Sequence, residues 1–426
     1  MAANIFVVGL DADNRRVLER LPDAENHVFH GLLTPDELQH GDIDIAGLLD
    51  KAEQTLDAFD GSVDAIVTFW DFPAASLVPL LCERRGLPHV PLEAIFKCEH
   101  KYWSRLEQRE VIDEIPRFGI IDLDQAEPRL PEDVSFPAWL KPVKSFSSEL
   151  AFRVTGEEEL SAAVAKIRDG VGRVGDPFEK VLRNVELPPE VAEVGGAACL
   201  AEEALTGVQA AVEGYAYQGK VIVYAALDSV DYAERSSFLR HQYPSQLPEE
   251  VVQRMKDVAR RVIERIGFDN GTFSVEFFCD PQSGQVCLLE INPRHSQSHA
   301  ELFELVDGTS NHDVMVRLGL GQPPRHRAGV GPYRIAGCWY LRRFSGDAVV
   351  DRVPTEAEIS ELVEQIEGVR ISICPSENLR LSDLPEQDSY SFELAQVVIG
   401  AQTPEEMAEK YRTCVDGLHF AFRDAA

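Results

Sequence analysis

The first part of the chain alternates short apolar runs with segments whose apolar residues recur at helical spacing. Strands that alternate with helices in this way are typical of a parallel sheet covered by helices on both faces. The sequence therefore predicts an N-terminal α/β unit built as a small doubly wound sheet. Its predicted strands are residues 4–10, 27–32, 63–70 and a short run around Val90, and its predicted helices are residues 14–21, 45–59 and 73–85.

The turn after the first strand lacks the glycine pattern of dinucleotide-binding domains. Gly9 is the only glycine in that turn, whereas pyrophosphate binding requires several glycines for close backbone approach. A dehydrogenase-like use of this sheet is therefore disfavoured. Asp71 follows the third predicted strand, at an edge where parallel sheets present ligand-binding residues. We expect Asp71 to cap the next helix, with substrate contact as the alternative.

Residues 94–112 predict one long amphipathic helix that begins a second unit. On this helix Lys97 and Lys101 are four residues apart and would share a face. Beyond it, residues 136–154 predict two strands joined by a polar loop, with Lys141 on the first strand. The loop contains serines but no glycine, so its backbone approaches a ligand less freely than a glycine-rich loop would.

A helix is predicted at residues 155–168, because Thr155 and Glu158 have the spacing of a capping box. Residues 169–196 are rich in glycine, proline and charge, and we expect a loop or an insertion there. A strand at residues 199–205 follows.

Residues 211–227 predict a hairpin with a Gln-Gly turn, in which Glu213 points inward. Residues 228–245 are predicted to be a polar loop. A helix at residues 249–266 comes next, with proline before it and glycine after it.

A second hairpin, centred near Ser283, carries the polar residues that point to chemistry. Its register would place Glu276 opposite Glu290, with Cβ atoms about 5 Å apart. Two carboxylates so placed repel each other, and a hard divalent cation removes the repulsion. Mg²⁺ is usually held by one or two carboxylates, with water and phosphates completing its coordination. The same register pairs Cys279 with Cys287, places Glu290 and Asn292 on one face, and places Cys287, Leu289 and Ile291 on the other.

The hairpin therefore predicts a site for a metal–nucleotide complex. Arg294 lies two residues beyond Asn292 and can offer a planar fork to a carboxylate or a phosphoryl group. We expect Pro293 to end the strand pairing.

Residues 323–331 are rich in proline, glycine and arginine and mark a boundary. The chain beyond them predicts a C-terminal α+β unit. The remaining predicted helices are residues 301–305, 311–320, 355–365 and 403–420, and the remaining predicted strands are residues 333–344, 369–374 and 391–400.

The charge composition of the chain limits the kinds of molecule that it is expected to bind. The 426 residues include 72 acidic and 41 basic side chains, a net charge of −31, which argues against nucleic acid or an anionic membrane as partner. Small molecules and proteins remain. The eight cysteines have no metal-ligand spacing, so we expect reduced core residues. The apolar run at the N-terminus is too short for a signal peptide, and a cytoplasmic protein is expected.

Glu276 and the sequence LLEINPR, which ends at Arg294, resemble the metal-binding hairpin of the ATP-grasp superfamily. The resemblance implies ATP as substrate, Mg²⁺ or Mn²⁺ held by Glu276, Glu290 and Asn292, and Arg294 as the residue that assists acyl-phosphate formation. It also implies nucleotide contacts from Lys101 (favoured over Lys97), Lys141, Ser147, Ser148, Glu202, Glu203, Ala204, Leu205, Gln209 and Glu213. On the substrate side the candidates are His241, Ser296 and His299. His295 and His299 flank the expected acceptor site, where each would bind substrate or relay a proton, with an ordinary core or surface histidine as the alternative.

The resemblance divides the chain into three parts. Residues 1–96 would be the N-terminal domain, residues 97–325 the two-lobed ATP-grasp domain with its lid at 136–205, and residues 326–426 a C-terminal α+β domain. The last strand and helix resemble those of biotin-carboxylase-like members. The overall class is α/β, or α+β for the whole chain.

Members of the superfamily activate a carboxylate as an acyl phosphate, which a nucleophile then displaces. We expect an amine nucleophile and an amino-acid-type substrate. Biotin carboxylases carry glutamine and glutamate where this chain has Ser296 and Ser298, which counts against a bicarbonate-activating enzyme. A non-catalytic nucleotide-binding protein is the third possibility. The resemblance also allows a homodimer.

Overall fold

The computed structural model describes residues 2–145, 149–233, 235, 237–384 and 391–424. Its N-terminal unit contains β1 (Ala3–Val8), α1 (Ala12–Leu18), β2 (His27–Leu32), α2 (Pro35–Gln39), α3 (Ile45–Asp57), β3 (Ala65–Val67) and α4 (Ala74–Arg85). The three strands pair in parallel in the order β2-β1-β3, which confirms the predicted sheet. Val90 lies outside any strand, which corrects the prediction of a short strand there. Of the described helices, none is both long and apolar enough to span a bilayer.

Two short helices follow where one long helix was predicted. They are α5 (Leu92–Glu99) and α6 (Lys101–Arg109). His100 separates them in an extended conformation (φ −80°, ψ 96°), and its ring accepts a hydrogen bond from the backbone N–H of Trp103 at 3.2 Å. The break removes the shared face of Lys97 and Lys101. Lys97 pairs with Glu93, away from the hairpin, whereas Lys101 begins α6.

A smaller sheet with its helices forms the next lobe. Its elements are β4 (Phe118–Ile121), β5 (Ala138–Pro142), β6 (Phe152–Val154), α7 (Glu157–Gly170), α8 (Gly172–Leu182), α9 (Pro189–Val194) and β7 (Cys199–Glu203). The strand order is β4-β7-β5-β6, with every described pairing antiparallel. The capping box predicted at Thr155 is wrong: α7 begins after Gly156, and both the N–H and the hydroxyl of Thr155 donate to Glu159.

The segment predicted as a loop at residues 169–196 is largely helical. Apolar residues of α8 and α9, including Phe178 and Val191, are buried in the core of the N-terminal unit. The ring of Phe178 lies 5.3 Å from that of Phe72 and 5.7 Å from that of Phe96. The glycines and prolines suggested a loop, but burial against a distant part of the chain outweighs such local preferences.

The central sheet carries the predicted hairpin. Its first elements are β8 (Val208–Tyr217), β9 (Lys220–Asp231), β10 (Phe238–Tyr243), α10 (Glu249–Ile266), β11 (Gly271–Asp280), β12 (Gln285–Asn292), α11 (Ala300–Asp307) and α12 (His312–Gly319). The helix predicted at residues 249–266 is confirmed at both ends. The polar loop predicted at residues 228–245 instead extends β9 and forms β10, which pairs with β9.

The hairpin of β11 and β12 contains a bulge that the sequence did not reveal. Glu276 lies opposite Glu290 as predicted, but Phe277 pairs with Leu288 and Cys279 with Val286. The extra residue, Leu289, shifts the register by one. As a result Leu288 and Ile291 both enter the core, and the predicted pairing and facing of the hairpin cysteines are wrong.

The remaining elements extend the central sheet. They are β13 (Ile335–Arg343), β14 (Ala348–Arg352), α13 (Glu356–Gln365), β15 (Val369–Ile373), β16 (Phe392–Ala401), α14 (Pro404–Gly417) and β17 (Ala421–Asp424). Within the described chain the order is β12-β11-β8-β9-β10-β13-β16-β15, so the sheet runs across residue 325 without interruption. The pair formed by β14 and β17 was not predicted.

Phe178→Ala tests whether α8 belongs to the N-terminal core. Phe178 is fully buried between two aromatic rings, so the variant should lose about 3–5 kcal/mol of unfolding free energy. Urea denaturation measures the loss. Lys180→Ala, an exposed position on the same helix, is the control and should change stability by less than about 0.5 kcal/mol. Equal effects of the two substitutions would contradict the packing.

Candidate active site

The end of the hairpin presents the two facing carboxylates. The carboxylate of Glu276 accepts hydrogen bonds from the side-chain amides of Asn292 and Gln209, each at 3.0 Å. Burial and the nearby charge of Glu290 raise the pKa of Glu276 above its ordinary value. The predicted register therefore does bring two acids together, and one of them is destabilised in its charged form.

Glu290 lies in a different electrostatic environment. Its carboxylate forms an ion pair with Lys101 at 2.6 Å, and the lysine also donates to the backbone carbonyl of Ser145 at 3.1 Å. Burial alone would raise the pKa of Glu290, but Lys101 and Lys141 outweigh it and lower the pKa to about 2. The two carboxylates are thus unequal, since lysines neutralise one and repulsion disfavours the other.

Lys101 reaches the hairpin because the helix break at His100 reorients it. Its backbone N–H donates to the carbonyl of Val143 at 2.8 Å, which fixes the start of α6 against the lobe that carries Lys141. The side chain of Lys101 is 9% exposed, so its charge is held in a largely desolvated position.

Lys141 and Arg105 both bind Glu202. Lys141 lies 2.6 Å from one carboxylate oxygen and the Arg105 Nε lies 2.6 Å from the other. Burial raises the pKa of Glu202, and the two cations outweigh that effect and lower it to about 2. Glu202 therefore positions these two cations, and its carboxylate is already occupied by them.

Arg105 is a site residue that the sequence analysis missed. Its guanidinium donates to the carbonyls of Leu288 and Leu289, at 3.1 and 2.6 Å, and so supports the bulge of β12. The available signal was its spacing, because Arg105 is four residues after Lys101 and shares a face of α6 with it. An arginine on the same face as a lysine that is predicted to contact nucleotide could have been selected on that basis.

Lys144 is buried rather than exposed on a loop. Its ammonium lies 3.2 Å from a carboxylate oxygen of Glu99 and packs over the rings of Phe72 and Phe178. Burial raises the pKa of Glu99, and Lys144 opposes that shift. Lys144 thus ties the start of the polar loop to the N-terminal core. The predicted loop residues Ser147 and Ser148 lie outside the described residues.

Four consecutive predicted nucleotide contacts, residues 202–205, lie at the end of β7 and just beyond it. The backbone N–H groups of Glu203 and Ala204 donate to the carbonyls of Arg117 and Pro137, at 2.9 and 3.1 Å. These two donors are therefore engaged within the protein. Leu205 follows in a partly exposed position. Gly207 has a φ of +123°, and a Cβ there would lie 2.4 Å from the carbonyl oxygen of Cys279, so only glycine fits this crossing.

Arg294 is held by a residue from the N-terminal unit. Its Nε donates to Asp71 at 2.9 Å, and a second guanidinium nitrogen pairs with the other oxygen of the same carboxylate. The predicted capping role of Asp71 is wrong, because Pro73 is the N-cap residue of α4. Burial lowers the pKa of Arg294, and Asp71 outweighs that effect and raises it.

Glu213 organises the predicted substrate side. It is fully buried and accepts hydrogen bonds from the backbone N–H of Ser296 at 3.2 Å and the side chain of Asn311 at 3.0 Å. His299 Nδ1 lies 2.7 Å from the same carboxylate. The structure therefore places Glu213 with substrate-side residues, whereas the sequence grouped it with the nucleotide-binding residues.

His241 lies beside this cluster. Its ring centroid is 5.3 Å from that of His299, and its Nδ1 lies 3.0 Å from the hydroxyl of Ser229. Burial lowers its pKa to about 3, so the ring is neutral near pH 7. The residues predicted for substrate binding thus lie around Glu213, on strand β10 and the segment after β12.

Comparison with known proteins identifies the class to which this site belongs. Residues 134–300 match the family model for the ATP-grasp domain. This part of the chain, which includes the hairpin, the lysine-bearing strand and Glu202, is therefore an ATP-grasp domain, as the hairpin motif predicted.

Several solved structures share the fold of this protein along nearly its whole length. L-amino acid ligase from Bacillus licheniformis has a TM-score of 0.73 at 17% identity, with 99% of each chain covered. The biotin carboxylase domain of the Hydrogenobacter thermophilus 2-oxoglutarate carboxylase, solved with MgADP and bicarbonate, has a TM-score of 0.63 at 15% identity and covers 99% of this chain and 91% of that one. At these identities the likeness establishes the fold.

Curated relatives match over short stretches. The carbamoyl phosphate synthase large chain of Thermotoga sp. strain RQ2 is 44% identical over 48 residues, which is 11% of this chain. The match spans 4% of that relative's length. The likeness is thus confined to a fragment of a much longer protein.

Glu276→Gln and Glu290→Gln should change stability in opposite directions in metal-free protein near pH 7. Glu276→Gln removes a buried charge that faces another carboxylate, so its melting temperature should rise. Glu290→Gln leaves Lys101 without its partner, so its melting temperature should fall. Differential scanning calorimetry measures both. A fall of equal size in the two variants would show that the carboxylates are equally stabilised.

The pH dependence of wild-type stability follows from the same two shifts. Glu290 contributes stability above its ordinary pKa of 4.5, and that stability is lost as the pH falls toward about 2. Glu276 has the opposite sign, since its raised pKa makes it destabilising as the pH rises through that value. Glu276→Gln should therefore flatten the decline in stability above pH 4.5.

Lys144→Met should destabilise the fold more than Lys141→Met. Among the ion pairs of the described residues, Glu99 has Lys144 as its cation, whereas Glu202 keeps Arg105 when Lys141 is removed. Breaking a buried pair costs about 3–5 kcal/mol, which urea denaturation can measure. The double variant Lys144→Met/Glu99→Gln is the control and should recover much of the loss. Equal losses for Lys141 and Lys144 would refute this assignment.

Proposed function

We propose that the protein is an ATP-dependent ligase that activates a carboxylate as an acyl phosphate and joins it to an amine, releasing ADP and phosphate. The observation that carries the proposal is the facing pair Glu276 and Glu290, which lies among Lys101, Lys141 and Arg294 within an ATP-grasp domain. Paired acids surrounded by cations suit a nucleotide that brings both negative phosphates and a positive metal ion.

The residues of the hairpin fit Mg²⁺. Glu276, Glu290 and Asn292 offer the oxygen ligands that hard cations prefer, and burial and the facing Glu290 raise the pKa of Glu276, an effect that a bound cation would oppose. Mg²⁺ commonly takes one or two protein carboxylates and completes its coordination with phosphates and water, which suits this set of ligands. Mg²⁺ or Mn²⁺ bound here would neutralise charge on the phosphoryl oxygens.

Phosphoryl transfer depends on positioning and charge stabilisation. The cations of the site would position the phosphates and stabilise their negative charge. Lys141 is held by Glu202 and Lys101 by Glu290, so both ammonium groups are oriented before ATP binds. Arg294, oriented by Asp71, would hold the substrate carboxylate and then stabilise the oxyanion formed when the amine attacks.

We infer amino-acid-type substrates, with small-molecule carboxylate and amine partners. The full-length likeness to an L-amino acid ligase supports this inference. Ser296 and Ser298, whose hydroxyls lie 2.8 Å apart, occupy the positions where biotin carboxylases have glutamine and glutamate, which disfavours bicarbonate chemistry. We keep the division at residues 96 and 325, the cytoplasmic location and a homodimer as proposals.

The test is to supply ATP, Mg²⁺ and pools of amino acids and to identify both nucleotide and organic products. We expect ADP and phosphate in equal amounts, together with a dipeptide or other amide found by mass spectrometry. Stoichiometric AMP and pyrophosphate would overturn acyl-phosphate chemistry. Phosphate release without an amide, in the presence of biotin and bicarbonate, would favour the carboxylase alternative.

Arg294→Lys is the matched control for the chemical step. It keeps the positive charge and loses the fork, so the variant should bind Mg-ATP normally while turnover falls about 10²–10³-fold. Isothermal titration and the product assay separate the two quantities. Near-normal turnover with a lowered melting temperature would show that the Arg294–Asp71 pair is purely structural.

A further inference from the structure

Arg294 is followed directly by a buried hydrogen-bonded chain that the proposed mechanism does not use. The backbone N–H of His295 donates to the hydroxyl of Thr272 at 3.1 Å, and the ring Nδ1 of His295 lies 3.0 Å from the same oxygen. The ring Nε2 of His295 lies 2.8 Å from His312 Nδ1, and His312 Nε2 lies 2.9 Å from the side-chain oxygen of Asn14. Both histidines are fully buried.

The direction of each hydrogen bond is determined by its neighbours. The amide nitrogen of Asn14 donates to Asp11, so its oxygen faces His312 and accepts from His312 Nε2–H. His312 Nδ1 then accepts from His295 Nε2–H, and His295 Nδ1 accepts from the hydroxyl of Thr272. Burial lowers the pKa of His312 to about 3, so the ring remains neutral. One arrangement of protons satisfies the whole chain.

The hydrogen-bonded chain from Thr272 to Asn14 links several elements that surround the backbone of Arg294. It connects β11, the segment after β12, α12 and the start of α1, which belongs to the same N-terminal unit as Asp71. Arg294 itself also donates to the carbonyl of His295 at 3.4 Å. Asp71 therefore holds the guanidinium of Arg294 on one side. On the other side, the hydrogen bonds of His295 hold the backbone that follows Arg294.

We propose that His312 is a positioning residue that acts on Arg294 through His295. By accepting the His295 Nε2–H it holds that ring, and with it the peptide beside Arg294, in the orientation that points the guanidinium at the reacting carboxylate. The proposal rests on the proposed function for its kinetic readout. Small displacements of a reacting group can cost up to about 10²-fold in rate.

Two substitutions at His312 test the hydrogen bonds of its two ring nitrogens separately. The amide of asparagine matches Nδ1, so His312→Asn keeps an acceptor for His295 and loses Asn14. The amide of glutamine matches Nε2, so His312→Gln keeps Asn14 and loses the acceptor. We expect His312→Gln to lower kcat about 10-fold or more, with the KM for ATP within about twofold of wild type, and His312→Asn to retain most activity. Equal kcat values for the two variants would overturn the proposal.

A double-variant cycle with Arg294→Lys distinguishes positioning from general damage. If His312 acts through Arg294, then His312→Gln should cost little further activity once Arg294 is lysine. If His312→Gln lowered kcat by the same factor in wild type and in Arg294→Lys, the proposal would be refuted, because the effects of independent residues multiply. Melting temperatures of the four proteins show whether each variant is folded at the assay temperature.

A turnover-independent readout keeps this inference separate from the proposed function. In protein with ¹⁵N-labelled arginine, the Nε–H signal of Arg294, assigned by its loss in Arg294→Lys, reports the bond to Asp71. We expect this signal to broaden or exchange faster in His312→Gln and to be preserved in His312→Asn. An unchanged signal in His312→Gln would overturn the positioning role. Absence of turnover in wild type, with the NMR effect present, would refute the proposed function alone.

Discussion

The structure depends on the pairing of charges at positions that are partly or fully buried. Glu276 and Glu290 face each other at the end of the hairpin, and a desolvated carboxylate is costly unless a cation or hydrogen-bond donors compensate it. Lys101 compensates Glu290, whereas Glu276 has only neutral amide donors and keeps a raised pKa. The two facing carboxylates are therefore compensated unequally. Under the proposed function, a metal ion bound at the hairpin would supply the compensation that Glu276 lacks.

The cations near the hairpin come from separate parts of the chain, and each of them is paired with an acid. Glu202 orients Lys141 and Arg105, Glu290 orients Lys101, and Asp71 orients Arg294. These pairs hold the cations in place, which under the proposed function would reduce the reorganisation needed for phosphate binding. As a result, Glu202 and Glu290, which the sequence predicts as nucleotide or metal ligands, already form ion pairs within the protein.

The positions of those cations depend on packing far from the hairpin. The burial of α8 against Phe72 and Phe96 also encloses Lys144, whose ammonium lies over two aromatic rings and beside Glu99. The break at His100 turns Lys101 toward β12, whereas Lys97 pairs with Glu93. Hydrophobic burial thus fixes the framework, and the charged groups take the positions that it allows.

The sequence by itself determined the features that local chemistry specifies. Strand alternation and turn position placed Glu276 opposite Glu290, and proline and glycine signals located the helix at residues 249–266. Only the tertiary structure decided what faces those elements. Asp71 and Arg294 are 223 residues apart, and no local periodicity can report such a contact. The helices within residues 169–196, the bulge at Leu289 and the neutralisation of Glu202 follow the same rule, because each depends on burial and partners supplied by distant segments.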